Sequence, residues 1–381
     1  MRRAHRAVLA AALAAIAGVG ITTGAAAAAP PAVSAPQLTL PAPTGRYAVG
    51  ASELHLTDQS RVDPWVPESG PRQLMVSMFY PAPLPVGPPR QYLTRQEAAL
   101  LLAAKGLPGV SPDVLAATRS SAHEGAPPLP SRHGLPLVIL TPGAGMPRSI
   151  LTGLAEDLAS KGYVVADIGP NYETYGLAFP DGHVTTCTLA CADSTEPSVG
   201  LKVRIDDTSF VIDQLTGPTA SWALSRLIDP TRIGLDGDSV GGYAAPHSML
   251  ADRRIRAGVN MDGRVWTPLP ASGLDRPFLM LGRESERTPT GADPTWPDTW
   301  THLTGWKRWL TGANFAHASF TDTFVLTDQL GVSQPGVISG VRSMELTRAY
   351  IGAFFDLTLR GRPQPLLDGP TAANPEVKFW P

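Results

Sequence analysis

The sequence predicts an α/β protein in which a mainly parallel sheet of about eight strands is covered by helices on both faces. Apolar runs of strand length recur along the chain, and helical stretches separate them. The composition is that of an ordinary globular protein, with 43% hydrophobic and 17% charged residues among 381. Since α/β domains often exceed ~200 residues, we predict a single domain over residues 46–381.

The apolar runs predict the strands in order along the chain. Two early strands precede the parallel run, which then alternates with helices. We predict the early strands over Tyr47–Leu56 and Leu74–Tyr80, and the parallel strands over Leu135–Thr141, Tyr163–Ile168, Arg232–Gly237, Ala257–Met261, Pro277–Leu281 and Trp306–Thr311.

Three longer helices fit between and after these strands. The stretch Arg148–Lys161 places leucines on one face and stops before Gly162, a usual C-terminal cap. A second helix opens after Ser198, and the last, Val341–Arg360, carries an aromatic face and ends at Gly361. We expect all three helices to pack against the sheet.

A small helical insertion is predicted over residues 94–121, ahead of the parallel run. Thr94 and Glu97 form a capping box at its start, and a second short helix follows. Leu100–Leu102 make one face of the insertion apolar. Packing on the core is the simpler interpretation of this face, and a lip for lipid-like substrates is the alternative.

The first residues are typical of an export signal. Met1–Arg6 is basic, Ala7–Gly24 is apolar, and an alanine run ends at Ala29. Because the run is built from Ala and Gly, and no later stretch reaches ~20 apolar residues, we predict cleavage rather than membrane insertion. Residues 1–29 are therefore a predicted signal peptide of a secreted protein, and the Pro- and Ala-rich residues 30–45 are a predicted disordered leader.

The charge of the chain argues against nucleic acid as a partner. The formal net charge is −2, and loss of Arg2, Arg3 and Arg6 with the signal peptide brings it to −5. No cluster of Lys or Arg offers the electrostatic footprint that a polyphosphate requires. The oligomeric state does not follow from the sequence.

The motif Gly237-Asp238-Ser239-Val240-Gly241 carries the strongest chemical signal. A strand precedes it and a helix follows it, which is the context of the nucleophile elbow of the α/β-hydrolase fold. In that turn the serine is exposed above the sheet, and the glycines stand where side chains would clash. We predict the α/β-hydrolase fold, with Ser239 as the nucleophile of a serine esterase.

A serine nucleophile needs a base, and in this fold the histidine follows the serine and the acid in the chain. His247 is eight residues along the helix that follows Ser239, too far down the axis at about 1.5 Å per residue. His302 falls in a short helical stretch before the last strand. His317 lies in a loop just past that strand, at the edge where Ser239 emerges. We predict His317 as the base.

A carboxylate must hold the imidazole in the right tautomer. Asp262 directly follows an apolar strand and stands at the same edge of the sheet as Ser239. Glu284 and Glu286 follow the next strand and compete for this role. Their neighbours Arg283 and Arg287 make that run polar, which suits a solvated pair better than a buried carboxylate. We predict Asp262 as the acid and keep Glu284 as the alternative.

Two backbone N–H groups are needed to bind the tetrahedral oxyanion. Val240, the residue after the nucleophile, is expected to supply one. Ala144, in the glycine-rich turn 141–146 after the third strand, is expected to supply the other. Neither a Walker lysine nor a full dinucleotide glycine pattern follows this turn, so we predict no cofactor.

The two cysteines, Cys187 and Cys191, are separated by three residues. In an exported protein this spacing favours a disulfide that closes a short loop. Zinc would need further ligands, and only His183 is close. We predict a disulfide and no metal site.

These features together resemble the platelet-activating factor acetylhydrolase family, especially its exported actinobacterial members. The resemblance spans most of the predicted mature chain, and the separations of 23 and 55 residues between Ser239, Asp262 and His317 are similar to those of the family. It implies calcium-independent hydrolysis of short acyl esters, including the acetyl group of certain phospholipids. The segments that carry the resemblance are 68–83, 142–145, 237–242, 258–263 and 317–322.

The chain departs from this family at two positions. Asp238 stands beside the nucleophile where the family usually has histidine, and Pro142 replaces a histidine before the oxyanion turn. The Pro142-Gly143 turn is also similar to that of bacterial polyester hydrolases and cutinase-like lipases, which are the alternative function. A third hypothesis is a binding protein that has kept the fold and lost catalysis.

Overall fold

The computed structural model of the protein describes residues 36–188, 191 and 197–381. The predicted signal peptide, residues 1–29, and the first part of the predicted leader, residues 30–35, lie outside these described residues. Export therefore stays a prediction from the sequence. None of the helices within the described ranges is long and apolar enough to cross a membrane.

A sheet of ten strands forms the centre of the fold, in the order β12-β11-β10-β9-β8-β4-β5-β2-β1-β3. The six strands from β11 to β5 in this order are parallel to one another. The predicted mainly parallel sheet is thus confirmed. The strands are β1 Ala48–Val62, β2 Pro71–Ala82, β3 Ala122–Glu124, β4 Leu135–Thr141, β5 Val164–Pro170, β8 Ile228–Asp238, β9 Ile255–Met261, β10 Phe278–Arg283, β11 Lys307–Gly312 and β12 Val377–Trp380, and β6 Leu177–Ala178 pairs separately with β7 Val184–Thr185.

The ten strands exceed the eight or so that the sequence predicts, because two short edge strands escape the apolar pattern. β3 has three residues and pairs with β1, whereas β12 has four and pairs antiparallel with β11. Segments this short carry too few side chains for alternation to be recognised. The long strands begin and end within a few residues of their predicted bounds, apart from β1, whose antiparallel pairing with β2 continues past a bulge to Val62.

Helices cover both faces of the sheet and bury two apolar clusters. On one face α3 and α8 contribute Leu154, Leu158 and Phe355, and on the other α4 and α5 contribute Leu215 and Met249. The first turn of the predicted helix at residue 148 is a 3₁₀ turn. The helices are α1 Arg95–Ala104, α2 Pro112–Ala116, α3 Thr152–Ser160, α4 Pro197–Thr216, α5 Val240–Ala251, α6 Thr295–His302, α7 Asp322–Gln329 and α8 Gly340–Arg360.

The insertion over residues 94–121 contains α1 and α2 and packs on the body of the protein. The capping box forms, since Thr94 Oγ1 accepts from the N–H of Glu97 at 3.2 Å and the Glu97 carboxylate accepts from the N–H of Thr94 at 2.9 Å. Leu101 and Leu102 are buried in a cluster that includes Leu326 of α7. The apolar face of the insertion therefore contacts the core.

The predicted disordered leader is wrong over residues 36–45, which pack against the domain. Leu38 and Leu40 are buried, and their backbones exchange hydrogen bonds of 2.8 and 2.9 Å with Arg119 in the insertion. Thr44 donates to the buried carboxylate of Asp157 from both its N–H and its hydroxyl. Composition alone suggested disorder, but alternate leucines give this segment an apolar side that the insertion covers.

The structure joins Cys187 and Cys191 by a disulfide, as the spacing predicts. The N–H of Cys191 also donates to the carbonyl of Thr188 at 3.1 Å. His183 bonds instead to Asp181. Across the described ranges, no group of three or more His, Cys, Asp or Glu side chains is arranged to hold a metal ion.

We predict that Leu38→Ala lowers the free energy of unfolding by about 2–5 kcal/mol, because it leaves a cavity at a fully buried site. Val62→Ala is the control, since Val62 is 62% exposed and its truncation should cost less than about 0.5 kcal/mol. Urea unfolding of the two variants measures both changes. Equal stability of the two variants would show that the segment before residue 46 does not pack.

Candidate active site

Ser239 occupies a strained turn between β8 and α5. Ser239 has φ of 54° and ψ of −113°, a backbone conformation that residues other than glycine rarely adopt. A Cβ on Gly237 would lie 2.1 Å from the backbone carbon of Gly241, and a Cβ on Gly241 would lie 2.1 Å from the carbonyl oxygen of Thr141. The two glycines of the motif are therefore required by the close approach of three backbone segments.

His317 lies beside Ser239 at the same edge of the sheet. It begins a 3₁₀ turn, His317–Phe320, after β11, and its Nε2 lies 2.9 Å from Ser239 Oγ. Its Nδ1 lies 2.5 Å from Asp262 Oδ2. Because a carboxylate only accepts, Nδ1 carries the ring proton and Nε2 is free to accept from the serine hydroxyl.

Asp262 is fully buried directly after β9 and also has a positive φ, 54°. Its N–H donates to the carbonyl of Leu281 in the neighbouring strand at 2.9 Å. The structure thus brings the three predicted side chains into one chain of hydrogen bonds, from Ser239 through His317 to Asp262.

The competing carboxylates point elsewhere. Glu284 pairs with Lys378 of β12 at 2.5 Å, and Glu286 pairs with Arg283 at 2.6 Å. Neither forms a hydrogen bond to His317, whose Nδ1 is already bonded to Asp262. The geometry favours Asp262 for the acid.

The other two downstream histidines lie apart from this chain of hydrogen bonds. The ring of His247 bonds to the carbonyl of Thr267 at 3.0 Å, and burial lowers the pKa of His247. The ring of His302 bonds to the carbonyl of Asp298 at 2.9 Å within α6. Both histidines serve local structure.

Arg283 and Arg287 are the residues of this site that the sequence prediction missed. Both guanidinium groups bind Asp262, at 2.7 Å and 3.2 Å. In the sequence they suggested partners for the adjacent glutamates. Arg283 is the last residue of β10 and Arg287 follows it by four residues, while Asp262 directly follows the neighbouring strand β9. This adjacency of strand ends is the one signal that could have revealed the contact.

A second buried carboxylate, Asp238, stands next to the nucleophile. Burial raises its pKa to about 7, although the charge of His317 opposes the shift. One of its oxygens has no hydrogen-bond partner within the part of the chain that the structure describes. The hydrogen bond to Asp262 raises the pKa of His317, and the charge of Asp238 adds to this, whereas burial and Arg283 act against it.

The predicted oxyanion turn passes close to the nucleophile. A Cβ on Gly143 would lie 2.9 Å from the Cβ of Ser239. Arg204 of α4 holds the start of the turn by donating to Thr141 Oγ1 at 2.6 Å and to the carbonyl of Pro142 at 2.8 Å. Ala144 is exposed at its tip, and its N–H has no hydrogen-bond acceptor among the described residues.

The far end of the turn is held by the backbone. Gly145, with φ of 74°, donates to the carbonyl of Glu173 at 2.8 Å and accepts from the N–H of Tyr175 at the same distance. The predicted N–H donors, Ala144 and Val240, therefore belong to segments that flank Ser239. A hydroxyl, an imidazole, a buried carboxylate and two nearby backbone N–H groups are the groups from which acyl transfer can be built.

Two comparisons with known proteins bear on the chemistry, and no family model matches the chain. The chain is 31% identical over 385 residues to a probable 1-alkyl-2-acetylglycerophosphocholine esterase of Arthroderma benhamiae, covering 89% of this chain and 93% of the relative. It superimposes with a TM-score of 0.81 on a ferulic acid esterase from Streptomyces cinnamoneus, at 41% identity, covering 90% of this chain and 99% of that one. Both proteins are named as esterases.

We predict that Asp262→Asn lowers kcat for ester hydrolysis by ~10⁴, because the imidazole loses its orienting carboxylate. Glu284→Gln should cost far less, since it removes only a partly exposed ion pair with Lys378. Steady-state kinetics of the two folded variants on one ester test this order. Greater damage from Glu284→Gln would move the acid to that residue.

We predict that Asp238→Asn moves the acid limb of the kcat/KM profile to lower pH. The charge of Asp238 raises the pKa of His317, so removing it lowers that pKa and leaves the base neutral at lower pH. Asp229→Asn, at the far end of the same strand, is the control and should leave the limb in place. A limb that moves to higher pH in Asp238→Asn would contradict this electrostatic assignment.

Proposed function

The chain belongs to the platelet-activating factor acetylhydrolase-like family of carboxylic ester hydrolases, and we propose that it hydrolyses short acyl esters through an acyl-enzyme on Ser239. The observation that carries the proposal is the unbroken hydrogen-bond chain from Ser239 Oγ through His317 to the buried Asp262. The strained turn at Ser239 supports it, because such strain is characteristic of the nucleophile elbow.

Acylation begins when Ser239 Oγ attacks the carbonyl carbon of the ester and His317 Nε2 takes the serine proton. The carbonyl oxygen becomes an oxyanion that accepts hydrogen bonds from the N–H groups of Ala144 and Val240. When the intermediate collapses, His317 gives the proton to the departing alkoxide oxygen. The alcohol leaves, and the acyl group stays on Ser239.

Deacylation repeats these steps with water as the nucleophile. His317 Nε2 takes a proton from the water as its oxygen attacks the acyl carbon, and the same N–H groups bind the second oxyanion. The C–O bond to Ser239 breaks, His317 returns the proton to Oγ, and the carboxylic acid leaves. Asp262 stays a carboxylate throughout and stabilises the imidazolium. No step calls on a metal or an organic cofactor.

The family membership supports short acyl groups, since the curated relative is named for a glycerophosphocholine that carries an acetyl ester. An ester of an aromatic acid such as ferulic acid is a second candidate, because the solved esterase shares 41% identity along nearly all of its length. A polyester or cutinase-like activity remains the alternative that the Pro142-Gly143 turn suggests. All three share the proposed chemistry and differ only in the groups on either side of the ester.

The proposal includes export of the protein. The basic and apolar start of the chain supports a cleaved signal peptide. The Cys187–Cys191 disulfide is compatible with an oxidising compartment. N-terminal sequencing of the protein from the culture medium tests this part, and a start near residue 29 is expected.

We predict that a fluorophosphonate probe labels Ser239 and that Ser239→Ala loses both the label and the activity, with kcat lower by a factor on the order of 10⁶.

We also predict that, on a series of esters, the rate falls beyond short acyl chains. An acetyl phospholipid, a methyl ferulate and a polyester film in the same assay separate the three substrate classes. A wild-type protein that is folded but not labelled would indicate a binding protein.

A further inference from the structure

Both oxygens of the buried Asp262 carboxylate are occupied by donors. Oδ2 accepts from His317 at 2.5 Å and from Arg283 Nη1 at 2.7 Å. Oδ1 accepts from the backbone N–H of Arg283 at 2.9 Å and from Arg287 Nε at 3.2 Å. Arg287 Nη2 also donates to the carbonyl oxygen of Asp262 at 3.0 Å. The carboxylate forms all four of these hydrogen bonds only in its present orientation.

Arg287 is itself held from several sides. It is 4% exposed and forms an ion pair with the buried Asp293. Its guanidinium lies 5.6 Å from the ring of Trp296, and its carbonyl accepts from Trp309 Nε1 at 2.7 Å. A planar guanidinium fixed in this way presents its N–H groups to Asp262 in a set geometry.

Arg283 is less buried and is shared between two carboxylates. Its Nη1 binds Asp262, and its Nη2 binds Glu286 at 2.6 Å. The charged groups that face His317 are thus Asp262 from β9, Asp238 from β8 and Arg283 from β10. Arg283 is the cation in this set, and its charge lowers the pKa of His317.

Resting on the proposed function, we propose that Arg283 and Arg287 are positioning residues that hold the Asp262 carboxylate in the orientation at which Oδ2 meets His317. A carboxylate one residue past a strand can rotate about its side-chain bonds, and a rotated carboxylate would lose the short bond to Nδ1. A small misplacement of a catalytic group can lower the rate by about 10²-fold. The contacts that fix the orientation of the Asp262 carboxylate are therefore expected to matter for the rate.

Charge neutralisation is the simpler role for two arginines at a buried carboxylate. Charge neutralisation and orientation can be told apart by replacing the arginine with lysine. Lysine supplies the charge but only a compact ammonium, which cannot donate to both Oδ1 and the carbonyl of Asp262 as the fork of Arg287 does. A neutralising residue is restored by lysine, whereas an orienting one is not.

The test compares Arg287→Met, Arg287→Lys and Arg283→Gln with the wild-type enzyme. Arg287→Met should lower kcat by about 10- to 100-fold with KM unchanged, because Arg287 is buried behind Asp262 and acts through it. Arg287→Lys should recover only part of this loss. The downfield proton resonance of the Asp262–His317 hydrogen bond should shift in both Arg287 variants.

Arg283→Gln gives an independent readout in the pH profile. Removal of its charge raises the pKa of His317, so the acid limb of kcat/KM should move to higher pH, and Arg283→Lys should return the limb because it restores the charge. The kcat lost in Arg283→Gln should be recovered only in part by Arg283→Lys, because an ammonium cannot bind Asp262 and Glu286 as the guanidinium does. Because Arg283 is only partly buried, the kcat values of Arg283→Gln and Arg283→Lys decide between the two roles if Arg287→Met fails to fold. Arg348→Gln is the matched control, since Arg348 is a buried arginine that binds the carbonyls of Pro41 and Ala42 away from the site.

The control should lose stability and keep the wild-type kcat and pH profile. Full recovery of kcat by Arg287→Lys, or a wild-type kcat in both Arg287→Met and Arg283→Gln, would overturn the positioning role. Fluorophosphonate labelling of the wild-type protein separates this result from failure of the proposed function. If Ser239 is labelled and the variants are unchanged, only the positioning role fails, whereas an unlabelled wild-type protein overturns both.

Discussion

The close crossing of backbones at the end of β8 is the constraint on which the rest of the site depends. Ser239 takes a positive φ there, and the chain turns so tightly that α5 approaches both β8 and the end of β4. Such a turn costs of order 1–3 kcal/mol and persists only where the surroundings determine it. The hydrogen bond from the N–H of Ser239 to the carbonyl of Met261 is one of those determinants.

The parallel sheet brings the other residues of the site to the same edge as the Ser239 turn. Since β8, β9, β10 and β11 run in the same direction, the residues that follow them emerge at one edge. Ser239, Asp262, Arg283 and His317 each come from the end of a different strand. Short, rigid connections to the sheet hold their side chains within hydrogen-bond distance, although the residues are far apart in the chain.

A second buried network ties the antiparallel part of the sheet to the oxyanion turn. Arg72 of β2 is fully buried and binds Asp63, Glu173 and Asp207 at 2.7–3.0 Å. Glu173 also binds Arg204, which holds the turn at residue 141. Removing charges from water is costly, and ion pairs of this kind contribute little net stability. Their value here is geometric, because they fix the loop that carries Ala144, the proposed donor to the oxyanion.

Sequence alone determined the parallel sheet, and it predicted the elbow at Ser239 and the pairing of His317 with Asp262, because each follows from a local pattern or from the order of strand ends. Only the tertiary structure decided which partners the charged side chains take. Arg283 and Arg287 stand beside glutamates in the chain and still bind Asp262. Arg283 ends β10, which pairs with β9, and the path of the loop after β10 brings Arg287 back to the end of β9. The packing of Leu38 likewise depends on an insertion some 80 residues away, at Arg119, since composition does not say which surface is near enough to cover a leucine.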